Sequence, residues 1–221
     1  MKISILLNVV LVLAVVILSV RLVKRPGCEA TEVKSANVEA QHESVSSDAQ
    51  NTDFKDVDFK TDFDVNPFNF FTGDGLLLCA GDSVSSNAMT IGWGGLGTLW
   101  GKSVATVYVR NGRYTYGFME KSKYFTIMSF SDKNVLHYMG TKSGRDGDKA
   151  AALGLHVLYT ENGTPYYAEA DMVMECRTMY DHLYTPSDFR DDVPVEMYKN
   201  GAADGGIHAE YIGEVVKVIK K

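Results

Sequence analysis

Apolar residues are distributed unevenly along this 221-residue chain, and their pattern divides it into three parts. Residues 3–20 form an uncharged apolar run that, together with residues 21–23, reaches the roughly 20 residues a helix needs to cross a bilayer. Residues 29–64 are rich in Glu, Asp, Ser, Thr and Ala and contain no dense apolar run. After residue 66, short apolar stretches alternate with glycines and polar residues, which is typical of a globular domain.

The third part has the pattern of a mainly β domain. Apolar and alternating runs predict strands at residues 75–81, 87–93, 103–109, 123–130 and 207–219. Short helices are predicted at residues 114–122, 132–144 and 148–155, with Asp132 as an N-cap. Asn162-Gly163, between two β-rich runs, predicts a hairpin with a type I′ turn. Because no regular βαβ rhythm is present, the pattern favours an antiparallel barrel with helical insertions.

These changes in composition predict an N-terminal membrane anchor or signal segment at 1–25, an acidic flexible linker at 26–65 and a folded domain at 66–221. A cleaved signal peptide needs a small-x-small site after its apolar run. Three cations follow the run instead: Arg21, Lys24 and Arg25. A lipoprotein signal at Cys28 is also a poor match. We therefore expect an uncleaved transmembrane helix, and a margin of one positive charge favours a cytoplasmic domain.

Charge and cysteine content narrow the classes of function. A formal net charge of −6 gives no general attraction to nucleic acid or to an anionic membrane, so any bound anion must be held by a local basic cluster. The three cysteines, at positions 28, 79 and 176, show neither a CxxC pair nor zinc spacing. Cys79 and Cys176 lie in apolar strand-like runs and are interpreted as buried thiols.

Residues 85–116 combine glycines, hydroxyls, aromatics and two arginines in a way that suits neither a plain core strand nor a plain loop. The chain contains no Rossmann fingerprint, P-loop, nucleophile elbow or HExxH motif. Arg110 and Arg113 form one basic cluster, and Lys142, Arg145 and Lys149 form another. Cations beside glycines and hydroxyls suit a phosphate. Trp100 is interpreted as a core residue.

Five segments resemble, in the same order, motifs of the flavin reductase-like, flavoredoxin-type family of FMN-binding split barrels. They are NAMTIGWGGLGTLWGK (87–102), VRNGRYTYGFMEKSKYFT (109–126), GTKSGRDGDK (140–149), EADMVMECR (169–177) and HAEYIGEV (208–215). The resemblance covers about residues 66–219. It implies an antiparallel split β-barrel of Greek-key type.

The resemblance also implies which residues contact FMN. Those along the flavin would be Asn87, Met89, Thr90 and Trp93. Those near the phosphate of the ribityl chain would be Arg110, Arg113 and Thr115. Those that close over the cofactor would be Ser143, Gly144, Arg145 and Lys149. The chain departs from the family pattern at Asn111, where Pro is usual, at Gly147, where an apolar residue is usual, and after His208, where an Arg is often found.

The implied function is that of an FMN-dependent oxidoreductase, a flavin reductase with NAD(P)H as donor. The cofactor would carry the chemistry, so no catalytic side chain is obligatory. The alternatives are an electron carrier with bound FMN that serves a membrane redox partner, and a barrel that has lost its cofactor. The resemblance further implies a homodimer. We expect no metal site and no nucleic-acid partner.

Overall fold

The computed structural model describes residues 53–201 and 205–221. The predicted anchor, and the predicted linker as far as residue 52, lie outside these residues. Within them, no helix is both long enough and apolar enough to span a bilayer. The rest of the predicted linker, 53–65, belongs to the folded domain, because Lys55 and Asp56 pair with the last strand and Val57 packs against the core. The domain therefore begins before the boundary predicted at residue 66.

One antiparallel sheet of eight strands dominates the domain, and a separate two-stranded hairpin lies beside it. The strands of the large sheet are β1 (Lys55–Asp56), β2 (Leu76–Gly81), β3 (Ser86–Ile91), β4 (Gly94–Leu99), β5 (Lys102–Arg110), β6 (Tyr124–Ser129), β9 (Met172–Leu183) and β10 (His208–Lys220). Their order is β3-β2-β6-β9-β10-β5-β4, and β1 pairs with β10. The hairpin consists of β7 (Val157–Tyr159) and β8 (Pro165–Tyr167). The predicted mainly β, antiparallel architecture is confirmed.

The two strands at the ends of this spatial order, β3 and β4, are consecutive in sequence. Only Gly92 and Trp93 separate β3 from β4. Such a link spans at most about 11 Å between the flanking Cα atoms, so the sheet must curl until its two edges are near each other. In the described part of the chain no ladder of backbone hydrogen bonds joins β3 to β4. The result is a barrel open along one line, which we call the split.

Among the described residues, four short α-helices connect the strands: α1 (Tyr116–Met119), α2 (Lys133–Thr141), α3 (Lys149–Leu153) and α4 (Asp192–Tyr198). The first three confirm the predicted helices. Asp132 caps α2, as predicted, by accepting a hydrogen bond from the backbone N–H of Asn134. Asp148 caps α3 in the same way, and Gly154 ends that helix with a positive φ of 66°.

Both faces of the central strands are buried, which explains the unbroken apolar run at the start of β2. Leu76, Leu78 and Ala80 face the barrel interior. Leu77 and Cys79 face the opposite way and pack in the cluster that contains residues of α2. Cys79 and Cys176 are fully buried free thiols, as predicted, and burial raises the pKa of Cys79 to about 12. Neither thiol is positioned to react as a thiolate at neutral pH.

Two predicted local features are wrong. The hairpin at Asn162-Gly163 is present, but its loop spans residues 160–164, and of those residues only Gly163 has a positive φ. A type I′ turn needs a positive φ at both central residues. That condition is met instead by Trp100 (φ 50°) and Gly101 (φ 71°), between the paired residues Leu99 and Lys102. Trp100 is therefore 66% exposed at the tip of the β4–β5 hairpin and is not a core residue.

Candidate functional site

Five of the predicted cofactor contacts surround one depression at the split. This central pocket has a volume of about 370 Å³. Its predicted members are Met89, Thr90, Trp93, Arg110 and Arg113. They come from the edge strand β3, the two-residue link across the split, the end of β5 and the turn after it. The curling of the sheet is what brings these separate segments together.

The Trp93 indole is an exposed part of this pocket and not a core side chain. It is 47% exposed, and its ring centroid lies 4.9 Å from that of His208. Met89 is half-buried and packs against the barrel core. Thr90 donates its hydroxyl hydrogen to the carbonyl oxygen of Leu136 and so fastens β3 to α2. The pocket thus offers a flat aromatic ring and a thioether beside two guanidinium groups.

Asn87 and Thr115 bind each other. The Asn87 Nδ2 donates to the Thr115 Oγ1 at 2.7 Å, and both side chains are buried. Thr115 begins the turn that carries α1, because its carbonyl accepts hydrogen bonds from Phe118 and Met119. The bond therefore ties β3 to the segment that follows Arg113. Their predicted contact with the cofactor stays a prediction.

The loop at 143–147 brings Arg145, from the second basic cluster, against the turn that carries Arg113. The Arg145 guanidinium lies 5.2 Å from the centroid of the Tyr114 ring and donates from Nη1 and Nη2 to the carbonyl of Gly112, each at 3.4 Å. Ser143 accepts a hydrogen bond from the backbone N–H of Arg145 at 3.2 Å. Of the second predicted cluster, Arg145 therefore lies beside the turn that carries Arg113, and the two arginines border the same cavity.

Lys149 supports the site from within. Its Nζ donates to the carbonyls of Ala88 and Met139, the latter at 3.0 Å, and the residue is only 7% exposed. Burial lowers its pKa, and the positive charge of Arg113 lowers it further. Because two of its three donors are bound to backbone, Lys149 holds β3 against α2 and has one donor left for an anion. With Asn87, Gly144 and Arg145 it borders a neighbouring cavity of about 490 Å³.

His208 is a site residue to which the sequence analysis assigns no role. It is paired with Arg110 across β10 and β5, and its Nδ1 lies 2.6 Å from the Tyr198 hydroxyl. Burial lowers its pKa to about 4, and the charges of Arg110 and Arg113 act in the same direction. The ring is therefore neutral at neutral pH, and the tautomer sets which of the two atoms, Nδ1 or the Tyr198 hydroxyl oxygen, donates in their hydrogen bond. Tyr198 lies on α4, which the sequence analysis did not predict.

The low pKa of His208 predicts a loss of stability in mild acid. The unfolded chain protonates this histidine near pH 6.5, whereas the folded protein does so near pH 4, so falling pH favours unfolding between these values. The stabilisation is complete above about pH 6.5 and is lost as the pH approaches about 4. Urea unfolding of the wild type and of His208→Gln, at neutral pH and at about pH 4.5, checks this.

Between neutral pH and about pH 4.5, the free energy of unfolding of His208→Gln should fall clearly less than that of the wild type. His137→Gln removes an exposed histidine of α2 and serves as the control, for which a wild-type pH profile is expected. Identical profiles for His208→Gln and the wild type would show that His208 is not the group responsible.

Gly144 is a position where the structure has no room for a side chain. A Cβ there would collide with the Asn87 Oδ1 and would lie 2.7 Å from Cδ1 of Tyr114. Gly144→Ala should therefore displace the loop or break the Asn87–Thr115 bond, at a cost of about 1–3 kcal/mol in the free energy of unfolding. Gly117→Ala is the control, because a Cβ there meets nothing within 4 Å. Equal unfolding midpoints for both variants would contradict this packing.

The donor set suits a phosphorylated planar molecule. Guanidinium groups bind phosphate oxygens through paired, charge-assisted hydrogen bonds. The exposed Trp93 ring and the Met89 thioether suit an aromatic ring system placed along β3. Because the His208 ring is neutral at neutral pH, it cannot act there as an imidazolium acid. The chemistry that fits this arrangement is binding and orientation of a redox cofactor.

The sequence model of the family described as the flavin reductase like domain matches residues 71–220. That range is more than half of the chain, and the chain belongs to the flavin reductase-like domain family. The family is one of FMN-binding proteins and oxidoreductases, which agrees with the resemblance found in the motifs.

Solved structures with the same fold include two flavoredoxins. The flavoredoxin of Desulfovibrio vulgaris (Miyazaki F) is 25% identical, with a TM-score of 0.50 over 66% of this chain and 68% of that one. The flavoredoxin of Methanosarcina acetivorans is 21% identical, with a TM-score of 0.51 over 66% and 67%. An FMN-binding domain of a flavin reductase-like enzyme from Shewanella baltica is 16% identical, with a TM-score of 0.53 over 76% and 78%. A search of curated proteins found no match.

Proposed function

We propose that this protein is an FMN-binding oxidoreductase that takes electrons from NADH or NADPH. The observation that carries the proposal is the central pocket, where Trp93 and Met89 lie beside Arg110 and Arg113. In this proposal the arginines bind the FMN phosphate and the β3 side chains lie along the flavin. Bound FMN would supply hydride and single-electron chemistry, and the protein would supply binding, orientation and exclusion of water.

An apolar pocket provides access for an electron partner. It has a volume of about 630 Å³ and shares Gly92, Trp93, Tyr108 and His208 with the central pocket. Phe71, Leu96, Met197 and Tyr198 form other parts of its wall. A nicotinamide ring, or the ring of an acceptor, is of a size and polarity that suits such a site.

Three further parts of the proposal come from the sequence. The apolar segment at residues 3–20 would anchor the protein in a membrane, with the domain on the cytoplasmic side, where NAD(P)H is present. The protein would act as a homodimer, as the family resemblance implies. The edge strand β4, which pairs only with β5 among the described strands, is available for such contacts.

The first test is the visible absorption spectrum of the full chain, purified in detergent without added flavin and then mixed with FMN, NADH and NADPH in turn. A flavin spectrum that bleaches with either nicotinamide supports the proposal. A flavin spectrum that bleaches only with dithionite favours an electron carrier, for which the likeness to a flavoredoxin at 25% identity is the supporting observation. A protein that binds no FMN contradicts both.

A further inference from the structure

The apolar pocket that adjoins the central pocket has a lining without charged side chains. Among the described residues that border it there is no Asp, Glu, Lys or Arg. We propose that this pocket binds an uncharged quinone, which serves as the electron acceptor of the protein. The inference rests on the proposed function for the source of the electrons, and it names the class of acceptor which that function leaves open.

The titratable groups of the lining are themselves uncharged at neutral pH. Burial raises the pKa of Tyr108, Tyr184 and Tyr198, so these phenols keep their protons. The remaining group is the His208 imidazole, whose pKa of about 4 leaves it neutral. A phosphate would therefore find no cation in this lining, and the phosphates of a nicotinamide dinucleotide or of a second flavin nucleotide would have to stay outside it.

Two charged side chains lie behind the lining and do not border the pocket. The Tyr108 hydroxyl donates to Glu210 Oε1 at 3.5 Å, and the Arg110 guanidinium carbon lies 5.6 Å from the centroid of the Tyr198 ring. Arg110 borders the central pocket, where the proposed function assigns it to the flavin phosphate. A charge on an occupant of the apolar pocket would thus be desolvated without compensation, whereas a neutral ring avoids this cost.

The walls of the apolar pocket suit a planar ring with carbonyl oxygens. Six aromatic side chains border it: Phe68, Phe71, Trp93, Tyr108, Tyr184 and Tyr198. Aromatic rings pack favourably against one another in offset or edge-on arrangements. Phenol hydroxyls and an imidazole supply a few hydrogen-bonding groups among apolar walls, which is the usual composition of a small-molecule site.

The pocket also lies next to the place assigned to the flavin. It shares Gly92, Trp93, Tyr108 and His208 with the central pocket, and the rings of Trp93 and His208 have centroids 4.9 Å apart. Its volume of about 630 Å³ lies within the range of small-molecule sites. A ring bound there and a flavin placed along β3 would therefore be neighbours on either side of these shared residues.

Quinones are uncharged rings that accept electrons in the form that the proposed function supplies. NADH or NADPH gives up a hydride and becomes NAD⁺ or NADP⁺, and the solvent gives a proton. The quinone gains these two electrons and two protons, so that both C=O groups become C–OH groups of the quinol. Because such rings dissolve in bilayers, the predicted anchor at residues 3–20 would keep the domain near its acceptor.

The two tryptophans of the chain allow quinone binding to be measured without any enzymatic activity. Trp93 borders the apolar pocket, and Trp100, at the tip of the β4–β5 hairpin, does not. The flavin-free full chain in detergent is titrated with 2-methyl-1,4-naphthoquinone. In Trp100→Phe, the fluorescence of Trp93 should be quenched saturably. In Trp93→Phe, the control, Trp100 should show collisional quenching that is linear in quinone concentration.

Helix α4 supplies a matched set of substitutions. Val193 and Met197 lie one turn apart and both border the pocket, whereas Val195 does not. Val193 is 69% exposed and Val195 is 48% exposed, so a glutamate at either position should be tolerated by the fold. In the Trp100→Phe background, Val193→Glu and Met197→Glu should each weaken quinone binding about fivefold or more, and Val195→Glu should leave it unchanged.

The charge of the ligand gives a second comparison. The anion 1,4-naphthoquinone-2-sulfonate should bind about tenfold or more weakly than the uncharged methylnaphthoquinone. In the FMN-loaded protein, Val193→Glu should raise the KM for the quinone and leave the rate of bleaching by NADH unchanged. Each of these results supports the inference.

Several results would overturn it. Linear quenching of both tryptophans would show that no quinone site adjoins Trp93, and equal affinity for the charged and the uncharged quinone would contradict the role of the neutral lining. A higher KM for NADH and not for the quinone in Val193→Glu would make the pocket a donor site. A lower molar mass of Val193→Glu in sedimentation, with unchanged quinone binding, would make it a contact between two copies of the chain.

Failure of this inference can be told apart from failure of the proposed function. A protein that binds FMN and bleaches with NADH, but shows no saturable quinone binding, retains the proposed function and loses the quinone site. A protein that binds the quinone at Trp93 but takes up no FMN contradicts the proposed function and supports the assignment of the pocket.

Discussion

Replacing Arg113 by alanine is expected to weaken FMN binding by about one to two orders of magnitude and to leave riboflavin binding unchanged. A charge-assisted hydrogen bond contributes about 1.5–3 kcal/mol, and each 1.4 kcal/mol corresponds to about tenfold in affinity. Riboflavin lacks the phosphate, so only the FMN complex loses the bond. Quenching of flavin fluorescence on titration of the full chain measures both affinities.

The substitution should leave the surrounding turn intact. The backbone N–H of Arg113 donates to the Arg110 carbonyl at 2.9 Å, and its own carbonyl accepts from Tyr116 at 3.1 Å. Both bonds survive in an alanine variant. Arg190→Ala, at an exposed arginine near the start of α4, is the matched control. Equal weakening of FMN and riboflavin binding would indicate a change of fold, and unchanged FMN binding would remove Arg113 from the phosphate site.

Replacing Glu175 by alanine is expected to destabilise the domain by about 3–5 kcal/mol. Glu175 is 2% exposed, and its carboxylate accepts hydrogen bonds from Thr160, Asn162 and Thr164. Removal of the acceptor leaves the buried Thr164 hydroxyl and the half-buried Thr160 hydroxyl without this partner, and each such donor costs about 1–3 kcal/mol. It also leaves a cavity in β9. Urea unfolding at neutral pH measures the change.

Two further variants make this prediction specific. Glu175→Gln retains one oxygen, and the two threonine hydroxyls donate to the same carboxylate oxygen, so it should cost clearly less than alanine. Glu161→Ala removes a carboxylate from the same loop that is 87% exposed, and it should change the stability by less than about 1 kcal/mol. A cost below about 1 kcal/mol for Glu175→Ala would mean that the loop is held by something else.

The sequence predicted those strands in which the pattern of apolar and polar side chains follows the pattern of burial. β5 alternates between buried and half-exposed positions, and the short run in β2 is buried on both faces. β4 escaped prediction because Gly94, Gly95 and Gly97 carry no side chains and so show no period. Its extended backbone is imposed by pairing with β5 across the turn at Trp100-Gly101. Pairing with a neighbouring strand depends on the rest of the sheet, so the sequence of residues 94–99 alone does not predict it.

The candidate site, too, has features that the sequence predicts and features that only the folded chain shows. The spacing of Arg110 and Arg113 and the order of the motifs predict a phosphate site; both arginines border the central pocket, and phosphate binding there stays a prediction. The sequence did not show that Lys149 is bound to two backbone carbonyls, because those carbonyls belong to β3 and α2. Nor did it show the state of His208, whose low pKa results from burial and from arginines in another strand and turn. These features depend on distant segments that meet only in the folded chain.

In the proposed function, the split would also connect exchange of the ligand with the opening of the barrel. The amides along the free edges of β3 and β4 have no neighbouring strand there, so these edges should exchange hydrogen with solvent soonest. A flavin seated between Met89 and Trp93 would touch one edge and the link to the other, and it would slow exchange along both. Release of the flavin and separation of the two edges would then be one event, with a rate that limits how often the cofactor is replaced.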